Sequence, residues 1–284
     1  MNLKASQKTD MLLFLVMSVS WALNYPLLKI ALQYEPPLAT LFFRVLFGAV
    51  FSIPFSFGAM KLLREIGVGK LFLMSLFNVT LFMAFWFIGE RTEPASISSI
   101  IIYTYPIISV IFSSLFLNER LSVFKVLAIS IGFAGIVLIF INQLYIDYNI
   151  GLFLLIASSL SWATGTVFYK KYLRTADLRV VNSFQFYFSL PVIFVISLTY
   201  GGFRPVTVPF ILIALYMGSI GSTLAYYIYW GLIRKYNVSH VSPYLFSVPA
   251  FSILLSLMIT GERPDLITLI GFVLVAAGIF SSSR

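Results

Sequence analysis

Long apolar stretches between charged residues recur from one end of this 284-residue chain to the other. The hydrocarbon core of a bilayer needs roughly 20 apolar residues for each helical crossing. Soluble domains carry about a quarter charged residues, whereas only 10% of this chain is charged. A β-barrel would show short alternating segments instead of continuous apolar ones. The sequence therefore predicts an all-α integral membrane protein that crosses the bilayer many times.

Charges, prolines and glycines divide the apolar stretches into ten predicted transmembrane helices. They are expected near residues 11–33, 37–58, 70–89, 94–117, 122–142, 150–172, 179–200, 208–232, 238–260 and 265–282. Every connection between them is short. No soluble domain is therefore expected, and any function must lie between the helices.

Lysine and arginine are distributed unevenly between the two predicted sides of the membrane. If the N-terminus is cytoplasmic, 14 of these residues lie at cytoplasmic helix ends and four on the far side. Cytoplasmic loops carry this excess of positive charge in multi-pass proteins. We therefore expect the cell (inner or plasma) membrane, with both termini cytoplasmic. The net charge of +9 is interpreted as a topology signal, so no nucleic-acid partner is expected.

The residue types that most catalytic and metal sites require are scarce. Cysteine is absent and histidine occurs once, which excludes disulfides and thiolate metal sites. No H-E-x-x-H motif is present, and all ten acidic residues are placed near helix ends or in loops. We expect no cofactor, no metal and no enzymatic activity, with an intramembrane enzyme as the alternative of another class. The lack of a central acid also argues against exchange of protons for cationic drugs.

One polar phrase occurs twice. The segment SWALNYPLLK at 20–29 returns as SWATGTVFYK at 161–170, a shift of 141 residues. A shift of 143 pairs Pro106 with Pro249 and Glu119 with Glu262. Chance similarity between apolar helices explains matches of Leu and Ile, but poorly explains Trp, Pro and Glu–Arg pairs held in order. The sequence therefore indicates an internal repeat.

Each repeat contains five predicted helices. An odd number means that the second copy enters the membrane in the opposite orientation, an arrangement found in transporters with a site at the repeat interface. We predict a first repeat over 1–143, with helices 1–5, and an inverted second repeat over 144–284, with helices 6–10.

Several motifs resemble a known family. The first half contains W-x-x-N-x-x-x-x-K-x-A-L from Trp21 to Leu32 and PPL at 36–38; the second contains GSTLAYYIYWGLI at 221–233 and SVPAFSILLSLMITGER at 247–263. Both halves resemble the EamA domain of the drug/metabolite transporter superfamily. The resemblance implies a ten-helix exporter, similar to the aromatic amino-acid exporters. The closing motif reads NER in the first half, with Asn118 in place of glycine.

Asn24 lies in the middle of the first predicted helix, and Arg44 lies about a third of the way along the second. Intramembrane polar side chains are costly and normally face the bundle interior. Arg44 is always charged, so it either attracts a substrate carboxylate or phosphate, or snorkels to lock helices together. Asn24 either contacts substrate or joins two helices. Their repeat partners are Gln185 and Gly165.

The remaining candidates come from aromatic and polar positions in the predicted helices. Aromatic side chains beside polar or proline positions are candidates for an amphipathic cavity, although each alone is as readily explained by packing. His240 is the only histidine able to titrate near neutrality, and a structural role is the other interpretation. The predicted substrate-binding residues are Asn24, Arg44, Asn78, Tyr103, Trp162, Gln185, Tyr226, Tyr227, His240, Tyr244 and Ser247.

Four residues are predicted to act in hinges or gates. Pro106 and Pro249 each remove a backbone hydrogen bond inside a helix and favour a kink. Glu119 and Glu262 close the same two helices, where they can pair with arginine or bind backbone groups at a helix start. Simple curvature without motion is the other interpretation of the prolines.

We therefore expect a secondary transporter that exports small amphiphilic metabolites such as amino acids, by alternating access at a cavity between the repeats. The alternative is a nucleotide-sugar, phosphorylated-metabolite or lipid-linked carrier, which needs several cationic groups around its phosphates. The expected partners are a small-molecule substrate and the lipid bilayer, and a homodimer stays open.

Overall fold

The computed structural model describes residues 3–93, 95–141, 149–260 and 265–282, and these residues are helical, without strands. We number the main helical segments α1 to α10. They are α1 Leu3–Tyr34, α2 Pro37–Ser56, α3 Val68–Thr92, α4 Ile100–Leu117, α5 Val123–Ile139, α6 Ile150–Leu173, α7 Leu178–Thr199, α8 Val208–Lys235, α9 Val238–Leu255 and α10 Leu266–Ser282.

Eight of these helices are long and apolar enough to cross a bilayer, which confirms the prediction of a multi-pass helical membrane protein. The segments α5 and α10 are apolar but shorter. The 17 residues of α5 rise about 25 Å at 1.5 Å per residue, less than the hydrocarbon thickness of about 30 Å. The described lengths thus support eight crossings, and the count of ten stays a prediction.

Two helices change their winding at matching places in the two halves. In α3 the residues Leu76–Leu81 form a π-helical segment, and in α8 the residues Ser219–Leu224 do the same. The two segments are separated by the repeat shift of 143. A π turn leaves backbone groups outside the regular hydrogen-bond ladder, and such turns often occur at functional sites.

The helices pair across the two halves in a regular way. The helix α2 packs on α7, and α5 packs on α10. The helix α1 packs on α8 and α9, while α6, its counterpart in the repeat, packs on α3 and α4. Corresponding helices of the two halves therefore pack on corresponding partners.

Glycines allow the α5 and α10 backbones to approach closely. A Cβ atom on Gly278 would lie 2.6 Å from the Gly132 nitrogen, and one on Gly135 would lie 2.7 Å from the Gly271 oxygen. Small residues are the usual means of close helix contact in membranes, where apolar surface alone gives little driving force. The α5 and α10 backbones therefore pack directly against each other at these glycines.

Candidate functional site

A small cavity lies between the two halves, bordered by α1, α2, α3, α6, α8 and the first part of α4. Its volume is about 30 Å³, room for about two water molecules. The lining is aromatic except for Arg44, Asn24 and one aliphatic residue. It consists of Trp21, Asn24, Tyr25, Arg44, Phe82, Trp86, Ile102, Tyr103, Tyr105, Trp162 and Tyr226.

Among the described residues, Arg44 is the only charged one in the wall of this cavity. Its side chain is 2% exposed. The Nε atom donates to the Ser222 hydroxyl at 2.9 Å, and Nη2 donates to the Gly221 carbonyl at 3.4 Å. Nη1 is buried without a hydrogen-bond partner among the described residues. The guanidinium lies 5.7 Å from the centre of the Trp86 ring, within range of a cation–π interaction.

The π segment of α8 supplies the acceptors that hold Arg44. The Gly221 carbonyl also accepts from Asn24 Nδ2 at 3.2 Å, so one backbone oxygen joins α1, α2 and α8. The other atom of the Asn24 amide, Oδ1, is buried without a partner in the described part of the chain. Asn24 therefore joins helices with one end of its amide, while Oδ1 lies against Gly221.

Indole and phenol rings form the opposite wall. The Trp162 ring lies 5.8 Å from Trp21 and 5.2 Å from Tyr226, in tilted and edge-to-face arrangements. The Tyr25 ring lies 5.2 Å from Trp86. Such contacts are typical of packed aromatic clusters and add stability beyond the buried area. The Arg44 cation and the Asn24 amide thus share the cavity wall with an aromatic surface.

A second asparagine–glycine contact joins the two positions that the repeat relates to Asn24 and Gly221. Asn78, in the π segment of α3, is fully buried, and both polar atoms of its amide lack partners among the described residues. A Cβ atom on Gly165 of α6 would lie 2.2 Å from Asn78 Oδ1, and one on Gly221 would lie 2.3 Å from Asn24 Oδ1. In both pairs the asparagine comes from the first half and the glycine from the second.

The structure brings five predicted site residues to the cavity: Asn24, Arg44, Tyr103, Trp162 and Tyr226. Asn78 does not line the cavity, and its amide lies against Gly165 of α6. Gln185 is buried deeper in α7, where its Nε2 donates to Asn182 Oδ1 at 2.9 Å.

The other candidates lie away from the central cavity. Tyr227 points outward and stacks on Phe55 with ring centres 6.4 Å apart. Ser247 donates to the Ser18 hydroxyl at 3.2 Å. His240 and Tyr244 border a separate cavity of about 280 Å³ beside the first turns of α1.

That outer cavity lies at the N-terminal end of α1. Asp10 accepts there from Lys235 and, at 2.5 Å, from the Tyr236 hydroxyl, so α1 is tied to the end of α8. Burial and this hydrogen bond raise the pKa of Tyr236. A third cavity, of about 230 Å³, lies at the opposite end of α1 beside Glu35, Arg91 and Arg204. The central cavity therefore lies between two larger ones.

The two predicted hinge prolines lie close to breaks in helices. Pro106 follows a turn at residues 103–104 that separates the helix Ala95–Ile102 from Tyr105–Leu117. Pro249 follows a 3₁₀ segment, Ser242–Phe246. The Glu119 carboxylate accepts from the backbone nitrogens of Val238 and Ser239 at 3.0 and 2.9 Å and thus caps α9. Glu262 lies outside the described residues.

Several cavity residues were not predicted from the sequence. They are Trp21, Tyr25, Phe82, Trp86, Ile102 and Tyr105. A signal existed for Trp21, which lies one helical turn before Asn24 and so shares its face. Phe82 and Trp86 follow Asn78 at helical spacing. The π segment that contains Asn78 and ends before Phe82 changes the helix face on which these two rings lie.

Glu90 lies near a helix end, as predicted, and yet it is buried. It lies in the last turn of α3, but its side chain is only 5% exposed. Its Oε2 accepts from the indole nitrogen of Trp86 at 2.7 Å. A buried carboxylate therefore contacts a residue of the cavity wall.

The sequence matches the profile of the EamA-like transporter family twice, over residues 8–141 and 149–284. It is 30% identical over 273 residues to a Bacillus subtilis protein described as the uncharacterized transporter YvbV, covering 95% of this chain and 89% of that protein. It is 27% identical to an uncharacterized transporter of Archaeoglobus fulgidus, covering 97% of each chain.

The fold is also similar to that of a chain of known crystal structure. The two superpose with a TM-score of 0.84 over 97% of this chain and 96% of the other, at 17% sequence identity. At that identity the likeness concerns the fold alone.

Proposed function

We propose that this chain, which belongs to the EamA-like transporter family, is a secondary transporter that exports small amphiphilic metabolites such as amino acids. The observation that carries the proposal is the environment of Arg44. Its Nη1 is buried at the cavity without a hydrogen-bond partner, and no carboxylate pairs with the guanidinium among the described residues. An unpaired buried cation is costly, and a substrate carboxylate would offset that cost.

The walls of the cavity favour the same class of substrate. The aromatic rings of Trp21, Trp162 and Tyr226 face the polar side formed by Arg44 and Asn24. A carboxylate can bind the guanidinium while an apolar side chain stacks on the rings. Asn24 Oδ1 has no hydrogen-bond partner among the described residues, and it would accept from a substrate ammonium group once the amide turns from Gly221 toward the cavity. The site thus offers one group for each part of a zwitterionic amino acid.

Transport through this cavity requires the helices to move. Room for about two water molecules is too little for an amino acid, so the cavity must enlarge toward one face before a substrate enters. The helix breaks before Pro106 and Pro249 and the matching π segments of α3 and α8 are places where the backbone bends at little cost. We propose ten crossings in two inverted repeats that rock about this cavity.

Binding and exchange by purified protein test the substrate class. A thermal-stability screen should include amino acids, nucleotide sugars and phosphorylated metabolites, followed by counterflow in proteoliposomes with the compounds that stabilise. Amino acids are expected to stabilise the wild type and to exchange, and Arg44→Gln is expected to lose most of both effects. Arg64→Gln, which removes an exposed arginine, is the matched control. Stabilisation by nucleotide sugars alone would refute the proposed substrate class.

Orientation is tested separately with single cysteines, because the natural chain contains none. Lys61→Cys and Arg204→Cys place thiols at opposite predicted sides of the membrane. In intact cells a membrane-impermeant maleimide is expected to label the Arg204→Cys protein and not the Lys61→Cys protein. The reverse pattern would refute the proposed cytoplasmic termini.

A further inference from the structure

Glu90 is a buried acid that the proposed substrate site does not use. Its Oε2 accepts from Trp86 Nε1 at 2.7 Å, whereas Oε1 is buried without a hydrogen-bond partner among the described residues. Trp86 lines the central cavity and lies beneath the Arg44 guanidinium. A titratable group is therefore one side chain away from the site where substrate is proposed to bind.

No ion pair neutralises this carboxylate in the described part of the chain. The facing cation is Lys29 of α1, whose side chain is exposed. The helix α6, which packs along this part of α3, has no titratable side chain over Ile150–Phe168. The other titratable groups around Glu90 and Trp86 are Tyr25, Arg44, Glu93 and Tyr103.

A proton on Oε1 would remove the buried negative charge, and it would turn this unpartnered oxygen into a hydrogen-bond donor. An ionised carboxylate costs far more free energy to bury than a protonated one. The buried hydroxyl of Ser98 lies beside Glu90 and can serve both protonation states, since it can donate to the ionised carboxylate or accept the O–H of the neutral acid. Ionisable groups inside membrane helices commonly mark ion pathways for this reason.

Trp86 connects the charge of Glu90 to the cavity. An ionised carboxylate is a stronger acceptor than a neutral acid, so the carboxylate holds the indole in its present position. Protonation weakens the Trp86–Glu90 bond and frees the indole to leave the wall. The protonation of Glu90 and the shape of the cavity are then linked: each changes the free energy of the other.

We propose that Glu90 is the proton-binding site that couples substrate transport to proton movement in the opposite direction. The proton binds Oε1 of the carboxylate when the cavity opens toward the end of α3 and leaves it when the cavity opens toward the other face. The carboxylate is thereby regenerated, and no other reactant is consumed. This inference rests on the proposed function, because coupling needs a transported substrate.

The first test observes the titration without any substrate. Purified wild type, Glu90→Gln and the control Glu65→Gln, which changes an exposed acid, are compared by tryptophan fluorescence and by the infrared carboxylic-acid band between pH 5 and 9. The wild type and Glu65→Gln are expected to show a common transition that Glu90→Gln lacks. A transition of the same size in folded Glu90→Gln would overturn the inference. If Glu90→Gln does not fold, Glu90→Asp is expected to shift the transition, and an unshifted one would overturn it.

The second test measures coupling in proteoliposomes. For each protein, the uptake rate of an exchanging amino acid into vesicles with an acidic interior is divided by its rate without a pH gradient. The ratio is expected to exceed one in the wild type and Glu65→Gln and to fall to one in Glu90→Gln. An equal ratio in all three proteins would refute proton coupling through Glu90. Absence of counterflow in the wild type with every compound would instead refute the proposed function.

Discussion

Asn24 Nδ2 donates a hydrogen bond to the Gly221 carbonyl across 3.2 Å and so joins α1 of the first half to the π segment of α8 in the second. The same oxygen lies 3.4 Å from Arg44 Nη2. The contact requires glycine, because a Cβ atom on Gly221 would lie 2.3 Å from Asn24 Oδ1. One backbone position therefore fixes both polar residues of the cavity.

Asn24→Ala is expected to lower the free energy of unfolding by about 0.5–1.5 kcal/mol, the range for hydrogen bonds between membrane helices. Reversible unfolding in mixed micelles would measure the change. The matched control is Thr164→Ala, whose lost hydroxyl bond runs within α6, to the Leu160 carbonyl, and therefore joins no helices. Equal destabilisation by the two changes would show that the bond to Gly221 adds nothing to stability beyond a bond within one helix.

Gly165→Ala is expected to destabilise the protein by about 1–3 kcal/mol, the range for overpacking a tight interior. The added methyl group would meet Asn78 Oδ1 at 2.2 Å. Because the added methyl group clashes with the Asn78 amide, the double variant Gly165→Ala/Asn78→Ala should regain most of the lost stability. A double-mutant cycle without coupling would contradict the pairing. Gly69→Ala, with nothing within 4 Å of the added atom, is the neutral control.

Arg44 is expected to distinguish an amino acid from its amide. In wild type, replacing the substrate carboxylate by an amide should weaken competition for uptake about 10- to 100-fold, since hydrogen bonds to charged groups contribute about 1.5–3 kcal/mol. In Arg44→Gln the two competitors should differ much less. A structural role for Arg44 would lower overall activity and leave the ratio between the competitors unchanged.

Gly278→Ala is expected to separate α5 from α10 and lower stability by about 1–3 kcal/mol. The added Cβ would lie 2.6 Å from a backbone nitrogen, which cannot move aside as a flexible side chain can. Thermal unfolding of the purified variant measures the effect, again against Gly69→Ala. An unchanged unfolding temperature would show that the two helices tolerate a wider spacing.

Glu119→Ala is expected to cost about 0.5–2 kcal/mol, because it removes the acceptor of two backbone N–H groups at the start of α9. Glu119→Gln keeps one acceptor oxygen and should cost less. Chemical denaturation of both variants beside Glu65→Ala, which changes an exposed acid, would measure the difference. Equal stability of the three would exclude the capping role.

The membrane class and the repeat were predictable because both depend on local sequence. Apolar length decides whether a segment can enter hydrocarbon, and the doubled phrase at 20–29 and 161–170 marks related units wherever they lie in space. The shared Trp21 and Trp162 do meet in the cavity. The shared lysines differ: Lys170 donates to the carbonyls of Ile233 and Tyr236 at 2.7 Å, whereas Lys29 is exposed.

The candidate site was only partly predictable, since most rings in an apolar chain face lipid or a neighbouring helix. Tyr226 lines the cavity and Tyr227 points outward, although they are adjacent in one motif. Their faces depend on the π segment that precedes them, which rotates the helix in a way that residue spacing does not report. Trp86 depends in the same way on the π segment at Leu76–Leu81.

Hydrophobic length and residue order act along the chain, and they were sufficient to predict a helical membrane protein with two related halves. They could not predict that Asn24 binds Gly221, that Arg44 borders the cavity without a carboxylate partner among the described residues, or that Glu90 is buried against Trp86. These relationships depend on how helices distant in sequence rotate and approach one another, and that is settled by packing between them.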